Sequence, residues 1–317
     1  YLSTNTTITK IELPDSIEIV RARAFDKCIN LEEVILPQSL ISIGNSAFSS
    51  QDGVLFNKEK DTLVFYPMGK SDVVYTVPEF VKNIESGAFY TDPLNLKLLI
   101  ISENVETLYD SIYFEGAVVL PSRLMLDFVR FDNYATKIYY DGTATSFENL
   151  FGISSDMFFN EEYDSSEIVY GAPLSTGETD DFYYLVNSEN EIEIIGYKYT
   201  SQEVIVPSQI DGKAVTSIGV GAFANKDYLW VMCDYGYFTV VPQARIPDVP
   251  LTRVTLPDTI KHISAYAFAG NLQLREVQLS ESVVFIGAYA FDGCDSLTSV
   301  TIGSSVTRID YYAFRNC

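Results

Sequence analysis

Residues 274–294 read L-R-E-V-Q-L-S-E-S-V-V-F-I-G-A-Y-A-F-D-G-C, and residues 297–317 read L-T-S-V-T-I-G-S-S-V-T-R-I-D-Y-Y-A-F-R-N-C. The two segments align without a gap at a period of 23 residues (297 − 274 = 23), and a third segment begins one period earlier, at Leu251 (274 − 251 = 23). Each segment contains an Ala-Phe pair near its end; the pairs are Ala267-Phe268, Ala290-Phe291 and Ala313-Phe314. A fixed period of about 20 to 50 residues indicates a repeat array.

The same template returns at 8–25, 31–48, 73–89 and 204–223. In each unit a V-x-L type of segment alternates apolar and polar residues, which sends both apolar side chains to one face of a short strand. A proline lacks the N–H that strand pairing requires, so it ends the strand, and it follows the segment directly at Pro14, Pro37 and Pro257. One such coil cannot bury its apolar residues alone, so we expect the coils to stack into a solenoid.

The composition is strongly acidic. Lys and Arg number 21 against 43 Asp and Glu, which gives a formal net charge of −22. Long-range repulsion therefore argues against a nucleic-acid partner and against adsorption to an anionic membrane. The longest apolar runs, 98–101 and 228–233, are far shorter than the roughly 20 residues that a bilayer span requires. We expect no direct membrane insertion of this segment.

The units at 274–294 and 297–317 resemble the BspA-type leucine-rich repeat of bacterial cell-surface proteins, and the resemblance covers well over half of the chain. It implies a β-rich leucine-rich-repeat solenoid of right-handed coils of about 23 residues, with a parallel β-sheet on the concave face and short strands and 3₁₀ turns opposite. It also implies an extracellular protein of the cell surface that works by adhesion, without a cofactor. The expected partners are host or microbial surface proteins, other cells or glycans.

We divide the chain into a first leucine-rich-repeat array at 1–170 and a second at 171–317, and leave open whether the two are continuous. The division rests on the polar stretch 171–181, which is rich in residues that interrupt helices and strands. Within the first array, two apolar runs at 54–56 and 63–65 flank a polar turn and predict a hairpin insert. In the degenerate coils that follow, T-S-F-E at 145–148 predicts a short helix with Thr145 as its N-cap.

The sequence offers no recognisable catalytic, cofactor-binding or metal-binding motif. It contains one histidine, His262, so catalytic triads and two-histidine metal sites fail by count, and its place beside Ile263 predicts a solvent-facing repeat residue. No D-x-D-x-D-G calcium loop and no phosphate-binding glycine loop is present. We therefore predict a protein that is not an enzyme. A pair of carboxylates on neighbouring coils, as in a glycan-active enzyme, stays open as a remote alternative.

Three cysteines share one position, three residues after the phenylalanine of the Ala-Phe pair: Cys28, Cys294 and Cys317. The resemblance implies that this position takes Cys or Asn and points into the coil, and Asn271 occupies it after Phe268. We expect buried free thiols there. The spacing of one rung between Cys294 and Cys317 would also permit a disulfide.

Three features are candidates for partner binding. Tyr266, Tyr289 and Tyr312 each precede an Ala-Phe pair and predict a stripe of stacked rings, which has a second interpretation as packing alone. A second candidate is the row of residues that projects from the strands on the predicted concave face: Arg253, Thr255, Glu276, Gln278, Ser299 and Thr301. Aromatic residues and arginine carry much of the energy of interfaces. The only tryptophan, Trp230, lies in an irregular coil and is the third candidate.

Two expectations concern the role and context of the array. A passive spacer that displays a missing domain is the alternative to recognition. The chain begins at Tyr1 without a leader and ends at Cys317 partway through a unit, so we expect a signal peptide and an anchor outside this segment.

Overall fold

The computed structural model describes residues 9–14, 16, 33–35, 48–51, 53–57, 59–66, 70, 72–85, 88–89, 96–109, 116–122, 124–127, 137–151, 167–171, 173, 175–225 and 249–317. Trp230 and Cys28 lie outside these residues, so the predictions made for them stay predictions.

Short strands make up nearly all the regular structure of the described residues, as expected for coils that turn every few residues. The described residues contain one α-helix, α1 (Ala144–Phe151). The strands are β1 (Lys10–Glu12), β2 (Glu33–Ile35), β3 (Phe48–Gln51), β4 (Val54–Asn57), β5 (Thr62–Phe65), β6 (Val74–Thr76), β7 (Asn83–Ile84), β8 (Leu98–Ile100), β9 (Thr107–Tyr109), β10 (Ala117–Pro121), β11 (Met125–Asp127), β12 (Lys137–Asp141), β13 (Glu167–Tyr170), β14 (Ser175–Glu178), β15 (Phe182–Val186), β16 (Ile192–Tyr197), β17 (Glu203–Ile205), β18 (Gln209–Ile210), β19 (Lys213–Ile218), β20 (Arg253–Thr255), β21 (His262–Ile263), β22 (Glu276–Gln278), β23 (Phe285–Ile286) and β24 (Arg308–Ile309).

The chain forms two compact units. The first comprises residues 1–114, 118–133 and 140–159, and the second comprises 115–117, 134–139 and 160–317. The predicted division of the repeats at residue 171 stays a prediction.

The first unit contains the predicted hairpin. Strands β3, β4 and β5 pair antiparallel, and β5, β7, β9 and β11 continue as a parallel ladder. A second parallel pair joins β6 to β8. The hairpin turn is closed by Asn57, whose carbonyl accepts a hydrogen bond from Lys60 N (3.0 Å) and whose side-chain oxygen accepts one from Thr62 N (3.0 Å). Asparagine side chains commonly stabilise turns in this way.

The second unit is built on two parallel ladders. One runs through β16, β19, β21, β23 and β24, and the other through β17, β20 and β22, while β14, β15 and β16 pair antiparallel as a hairpin at the start. In the last coils the paired residues are one repeat apart, as in Val254↔Val277 and Ile263↔Ile286. The repeat register derived from the sequence is therefore confirmed, and the fold is a β-solenoid.

A column of phenylalanine rings runs through the core of the second unit. Phe223, Phe268, Phe291 and Phe314 stack on one another with centroid separations of 4.9, 5.1 and 5.1 Å. This separation is close to the spacing of neighbouring strands, about 4.8 Å. Inward valines and isoleucines of both ladders pack around the column, and Phe268 and Phe291 are fully buried.

The position three residues after each phenylalanine joins one coil to the previous one. Asn271 Nδ2 donates to the carbonyls of Phe223 (2.7 Å) and Phe268 (2.8 Å), and Cys294 Sγ donates to the carbonyl of Phe268 (3.3 Å). Cys317 Sγ makes the same bond to Phe291 (3.3 Å). Buried carbonyls require such partners, which explains why this position holds a side chain that can donate a hydrogen bond, either Asn or Cys.

Cys294 is a buried free thiol, as predicted, whereas the prediction of a buried thiol is wrong for Cys317, which is free but exposed. It lies in the unit 297–317, whose V-x-L type segment forms no strand and whose Ile302 is exposed.

The helix α1 is present, but its predicted cap is wrong. The N-cap is Thr143, two residues before Thr145: Ser146 N donates to Thr143 Oγ1 (3.1 Å), and Thr143 N donates to Ser146 Oγ (2.8 Å). Serine thus replaces the glutamate of the usual capping box, and the reciprocal bonds satisfy two N–H groups at the start of the helix.

A buried ion pair in the second unit was not predicted. Lys137 Nζ lies 2.7 Å from Glu193 Oε2, and Tyr139 OH donates to the same oxygen (2.7 Å). Both charged groups are almost fully buried, so removal of either one would leave the other without a counter-charge, which is costly. The pair ties residues 137–139 to the hairpin strand β16.

Replacing Phe291 by alanine should lower the free energy of unfolding by about 3–5 kcal/mol, because a ring stacked between two others is lost and leaves a cavity. Chemical denaturation monitored by circular dichroism measures this change. Val284→Ala is the control, since Val284 is a partly exposed residue of the same coil, and it should cost well under half as much. Equal losses for the two variants would contradict the stacked core.

Cys294 and Cys317 should differ in reactivity towards a thiol reagent in the folded protein. Burial raises the pKa of the Cys294 thiol, and the thiolate is the reactive form, so Cys294 should label only after denaturation. Cys317 is exposed and should label at least tenfold faster, although partial burial also raises its pKa. Peptide mapping by mass spectrometry after timed labelling assigns each site. Rapid labelling of native Cys294 would show that the inward register is wrong.

Candidate interaction surface

The strands β17, β20 and β22 form a small sheet with one face buried and the other in solvent. Val204, Val254 and Val277 point inward, and the residues on either side of each valine point outward. We call the outward side chains of these three strands the sheet face; its residues are Glu203, Ile205, Arg253, Thr255, Glu276 and Gln278. Alternation along each strand fixes these positions, so the sequence can vary them without disturbing the core.

The first row of the sheet face alternates in charge. Glu203, Arg253 and Glu276 lie in register on the three strands. Arg253 Nη2 lies 2.8 Å from Glu276 Oε2, and the two side chains are 51% and 55% exposed. An ion pair this exposed contributes only about 0–1 kcal/mol to stability, so both groups can be redirected to a partner at little cost.

The second row of the sheet face contains an unusually exposed apolar residue. Ile205, Thr255 and Gln278 lie in register, and Ile205 is 77% exposed. Of the predicted row, Arg253, Glu276 and Gln278 are exposed and Thr255 is half-buried. Ser299 and Thr301 are exposed as well, but they do not belong to a strand.

The tyrosine stripe forms as predicted. Tyr266 and Tyr289 stack at 4.9 Å, and Tyr289 and Tyr312 stack at 5.2 Å. All three residues adopt left-handed backbone conformations, with φ of 55°, 56° and 57°. The equivalent residue of an earlier coil is Gly221, also left-handed with φ of 57°, which explains why glycine recurs at this position.

Burial limits what the stripe can contact. The exposed fraction is 2% for Tyr266, 6% for Tyr289 and 47% for Tyr312. The guanidinium of Arg315 lies over the rings of Tyr289 (4.9 Å) and Tyr312 (5.2 Å) and forms an ion pair with the buried Asp292 (2.6 Å). A partner does not reach Tyr266 or Tyr289 in this structure, so packing accounts for these two, and a binding role stays a prediction for Tyr312.

The other ladder of the second unit, which runs through β16, β19, β21, β23 and β24, has a more neutral outward surface. His262 is half-buried, and its ring centroid lies 6.5 Å from that of Phe285. Arg308 lies over the Phe285 ring (5.2 Å) and forms an ion pair with Asp310 (2.6 Å). Lys261 pairs with Glu191 in the same way (3.2 Å), so charges of both signs lie together on this surface.

The first unit carries an acidic groove of about 530 Å³ between the turns of two coils. Its lining residues are Glu79, Phe80, Lys82, Glu103, Asn104, Val105 and Glu106. Asn104 Nδ2 donates to the carbonyl (2.8 Å) and the carboxylate (2.7 Å) of Glu79, which fixes one wall. Its exposed aromatic residue, Phe80, packs edge-on against Phe56 at 5.3 Å.

Across the described residues, His, Cys, Asp and Glu do not gather in groups of three or more that would hold a metal ion. In the same parts of the chain, helices long and apolar enough to cross a membrane are absent.

Sequence reasoning missed Glu203 and Ile205. Ile205 belongs to a unit that the sequence identifies, 204–223, and Glu203 directly precedes that unit, but they precede Thr255 and Arg253 by 50 residues. Since 50 is not a multiple of 23, the period alone does not place them in the row. The V-x-V-P pattern at 204–207 was the available signal, because it aligns with V-x-L-P at 254–257.

Three solved structures illustrate what the chain resembles. The leucine-rich repeat protein of T. pallidum is 25% identical to this chain over 43% of its residues, with a TM-score of 0.33. The match covers 53% of the T. pallidum protein, so this chain spans about half of its length. A leucine-rich repeat protein of Bacteroides capillosus is 24% identical over 43% of this chain and 88% of its own, with a TM-score of 0.34. The pneumococcal vaccine antigen PcpA is 13% identical over 94% of this chain and 62% of its own, with a TM-score of 0.35.

Sequence comparison gives the stronger result. None of the curated proteins compared with the chain matches it. A family model described as the BspA type leucine rich repeat region matches six copies, over residues 1–119 and 191–317. These residues are well over half of the chain and include the coils whose stacking is described above, so the chain belongs to the BspA-type leucine-rich repeat family.

Proposed function

We propose that the chain is a non-enzymatic recognition module of a bacterial cell surface, and that it binds a protein partner through the sheet face. The sheet face supports this proposal because it combines a charge row of alternating sign with an apolar residue that is 77% exposed, Ile205. A large apolar side chain with polar and charged residues around it matches the apolar centre and polar rim of an interface.

The passive spacer is less well supported. A spacer requires only solubility, which interchangeable polar residues would provide along the whole sheet. The sheet face instead places Arg253 between two glutamates, Glu203 and Glu276, in a fixed register. Such an arrangement selects partners by charge complementarity, which favours specific association.

The extracellular location and the choice of partner belong to the same proposal. Membership of the BspA-type family supports a surface location. Host or microbial surface proteins are the proposed partners, and glycans are an alternative that the experiment below separates. Catalysis has no part in the proposal, which rests on the exposure and the charges of the sheet face.

The combined variant Ile205→Ser/Arg253→Ala should reduce binding at least tenfold to whichever immobilised extracellular-matrix protein or bacterial surface protein the wild-type chain binds. Central residues of an interface contribute about 1.4 kcal/mol or more, which corresponds to tenfold in affinity. Biosensor binding against a panel of matrix proteins, bacterial surface proteins and glycans measures the effect.

Lys261→Ala is the matched control, because Lys261 is 50% exposed and also loses one ion pair, but on the other ladder. Its affinity should stay within about twofold of wild type. A wild-type chain that binds nothing in the panel would favour the spacer. Binding confined to glycans, or binding equally weakened by both variants, would show that the sheet face is not the protein-recognition surface.

A further inference from the structure

The hydrogen-bonding groups of β17 divide between its two edges. In a parallel ladder, alternate residues of a strand direct their N–H and C=O groups to opposite neighbours. Arg253 N donates to the carbonyl of Gln202 (3.3 Å), and Val206 N donates to the carbonyl of Thr255 (3.0 Å). Gln202, Val204 and Val206 therefore face β20, whereas the N–H and C=O groups of Glu203 and Ile205 face the outer edge.

Among the described residues, no strand pairs with this outer edge. The sheet runs in the order β17, β20, β22, so within the described residues β17 has a paired neighbour on one side only. The Glu203 N–H donates locally to Ser201 Oγ (3.3 Å). The C=O group of Glu203 and the N–H and C=O groups of Ile205 are left to hydrogen-bond with an incoming chain. The exposed side chain of Ile205 lies beside these groups.

Natural sheets usually protect an open edge with a proline, a bulge, an inward charge or a covering loop. Here the strand is regular, its central residue is apolar and buried, and the proline, Pro207, follows it without interrupting it. The edge is therefore suited to accept an additional strand, the binding mode in which backbone hydrogen bonds give affinity and alternate side chains give specificity.

The charge row indicates what the added strand contains. Along the sheet the row reads Glu276, Arg253, Glu203, so its signs alternate. A residue on a strand added at the outer edge would lie beside the Glu203 carboxylate, as Arg253 does on the inner edge. Opposite charges on neighbouring strands are favourable and like charges are not. A lysine or arginine thus fits opposite Glu203, and an apolar residue two positions later fits opposite Ile205.

We propose that the outer edge of β17 binds an extended segment of a partner protein as an additional parallel strand, with a basic residue opposite Glu203 and an apolar residue opposite Ile205. The proposal rests on the recognition function proposed above and specifies its backbone geometry. The net charge of −22 favours a basic segment, because it attracts such a segment before contact.

A second copy of this chain fits the edge less well. Each copy carries the same net charge of −22, and pairing two β17 edges brings two copies of Glu203 close together. Like charges at close range oppose association. The occupant that complements both the acidic row and the apolar residue is therefore a different, basic segment.

Fluorescence anisotropy with two blocked, labelled peptides tests the proposal. The first is L-T-R-V-V-L, the sequence of residues 251–256 with Val in place of Thr255, so that an apolar residue follows the Arg by two positions; residues 253–255 already pair with the other edge of β17. The second has Glu in place of Arg. The wild-type chain should bind the Arg peptide at least tenfold more tightly than the Glu peptide, and Glu203→Lys should reverse this preference.

Ile205→Pro tests the backbone bonds directly. Proline removes the outward N–H of residue 205 and leaves the bonds to β20 in place, because those come from residues 202, 204 and 206. Arg-peptide affinity should fall at least tenfold in Ile205→Pro and less in Ile205→Ser, which keeps the N–H. Thermal melting by circular dichroism confirms that each variant is folded, and if the proline variant does not fold, the charge reversal decides alone.

Any one of the following results would overturn the proposal: wild type that binds neither peptide, an Ile205→Pro variant that is folded and retains full affinity, or Glu203→Lys without a reversed preference. Sedimentation showing a wild-type dimer that Ile205→Pro dissociates would assign the edge to a second copy, which also overturns it. If the peptides fail while binding to a matrix or bacterial surface protein still depends on Arg253, the recognition function stands and the added strand does not.

Discussion

The structure depends on one constraint, the distance between successive coils. Backbone hydrogen bonding between parallel strands sets this distance at about 4.8 Å. Flat aromatic rings stacked at 4.9–5.1 Å match it, which is why a phenylalanine at the same position of each coil can form a continuous column through the core. The amide of Asn271 and the thiol of Cys294 follow the same spacing, since each reaches a carbonyl of the previous coil. The inward residues described here thus stack on, or donate hydrogen bonds to, residues of a neighbouring coil, and each coil depends on the next for its stability.

The same constraint leaves the outward positions free to vary. A residue such as Arg253 or Ile205 neither packs in the column nor bonds to the next coil's backbone through its side chain, so its identity has little effect on folding. Regular spacing nevertheless places such residues in straight rows at known separations. This combination of a rigid interior and a variable exterior allows one scaffold to present many different surfaces, and therefore fold alone says little about partners.

The sequence predicted those features that follow from the repeat, and missed those that depend on particular neighbours. Period and alternation were sufficient for the inward valines and for the recurrence of phenylalanine at one position of each coil, and the family resemblance added the inward position of Cys294. They did not predict that Tyr266 and Tyr289 are buried, because burial there arises from the coil above and from Arg315, 26 residues after Tyr289. The N-cap of α1 was misplaced because serine can replace glutamate in the reciprocal bond. The contact of Lys137 with Glu193 joins residues 56 apart that share no motif, so no local pattern contains it.

The tyrosine stripe has a consequence for how such an array grows. A non-glycine residue in the left-handed conformation costs about 1–2 kcal/mol, whereas a stacked aromatic pair returns about 0.5–1.5 kcal/mol. The first tyrosine of such a stripe, in a coil whose neighbours carry glycine at this position, would therefore bear the cost without a stacking neighbour, and a series of point substitutions would begin with a less stable intermediate. Duplication of a whole coil avoids them, because it copies the tyrosine together with the ring on which it stacks. The uninterrupted spacing of 23 residues from Leu251 to Cys317 is what tandem duplication of a gene segment produces.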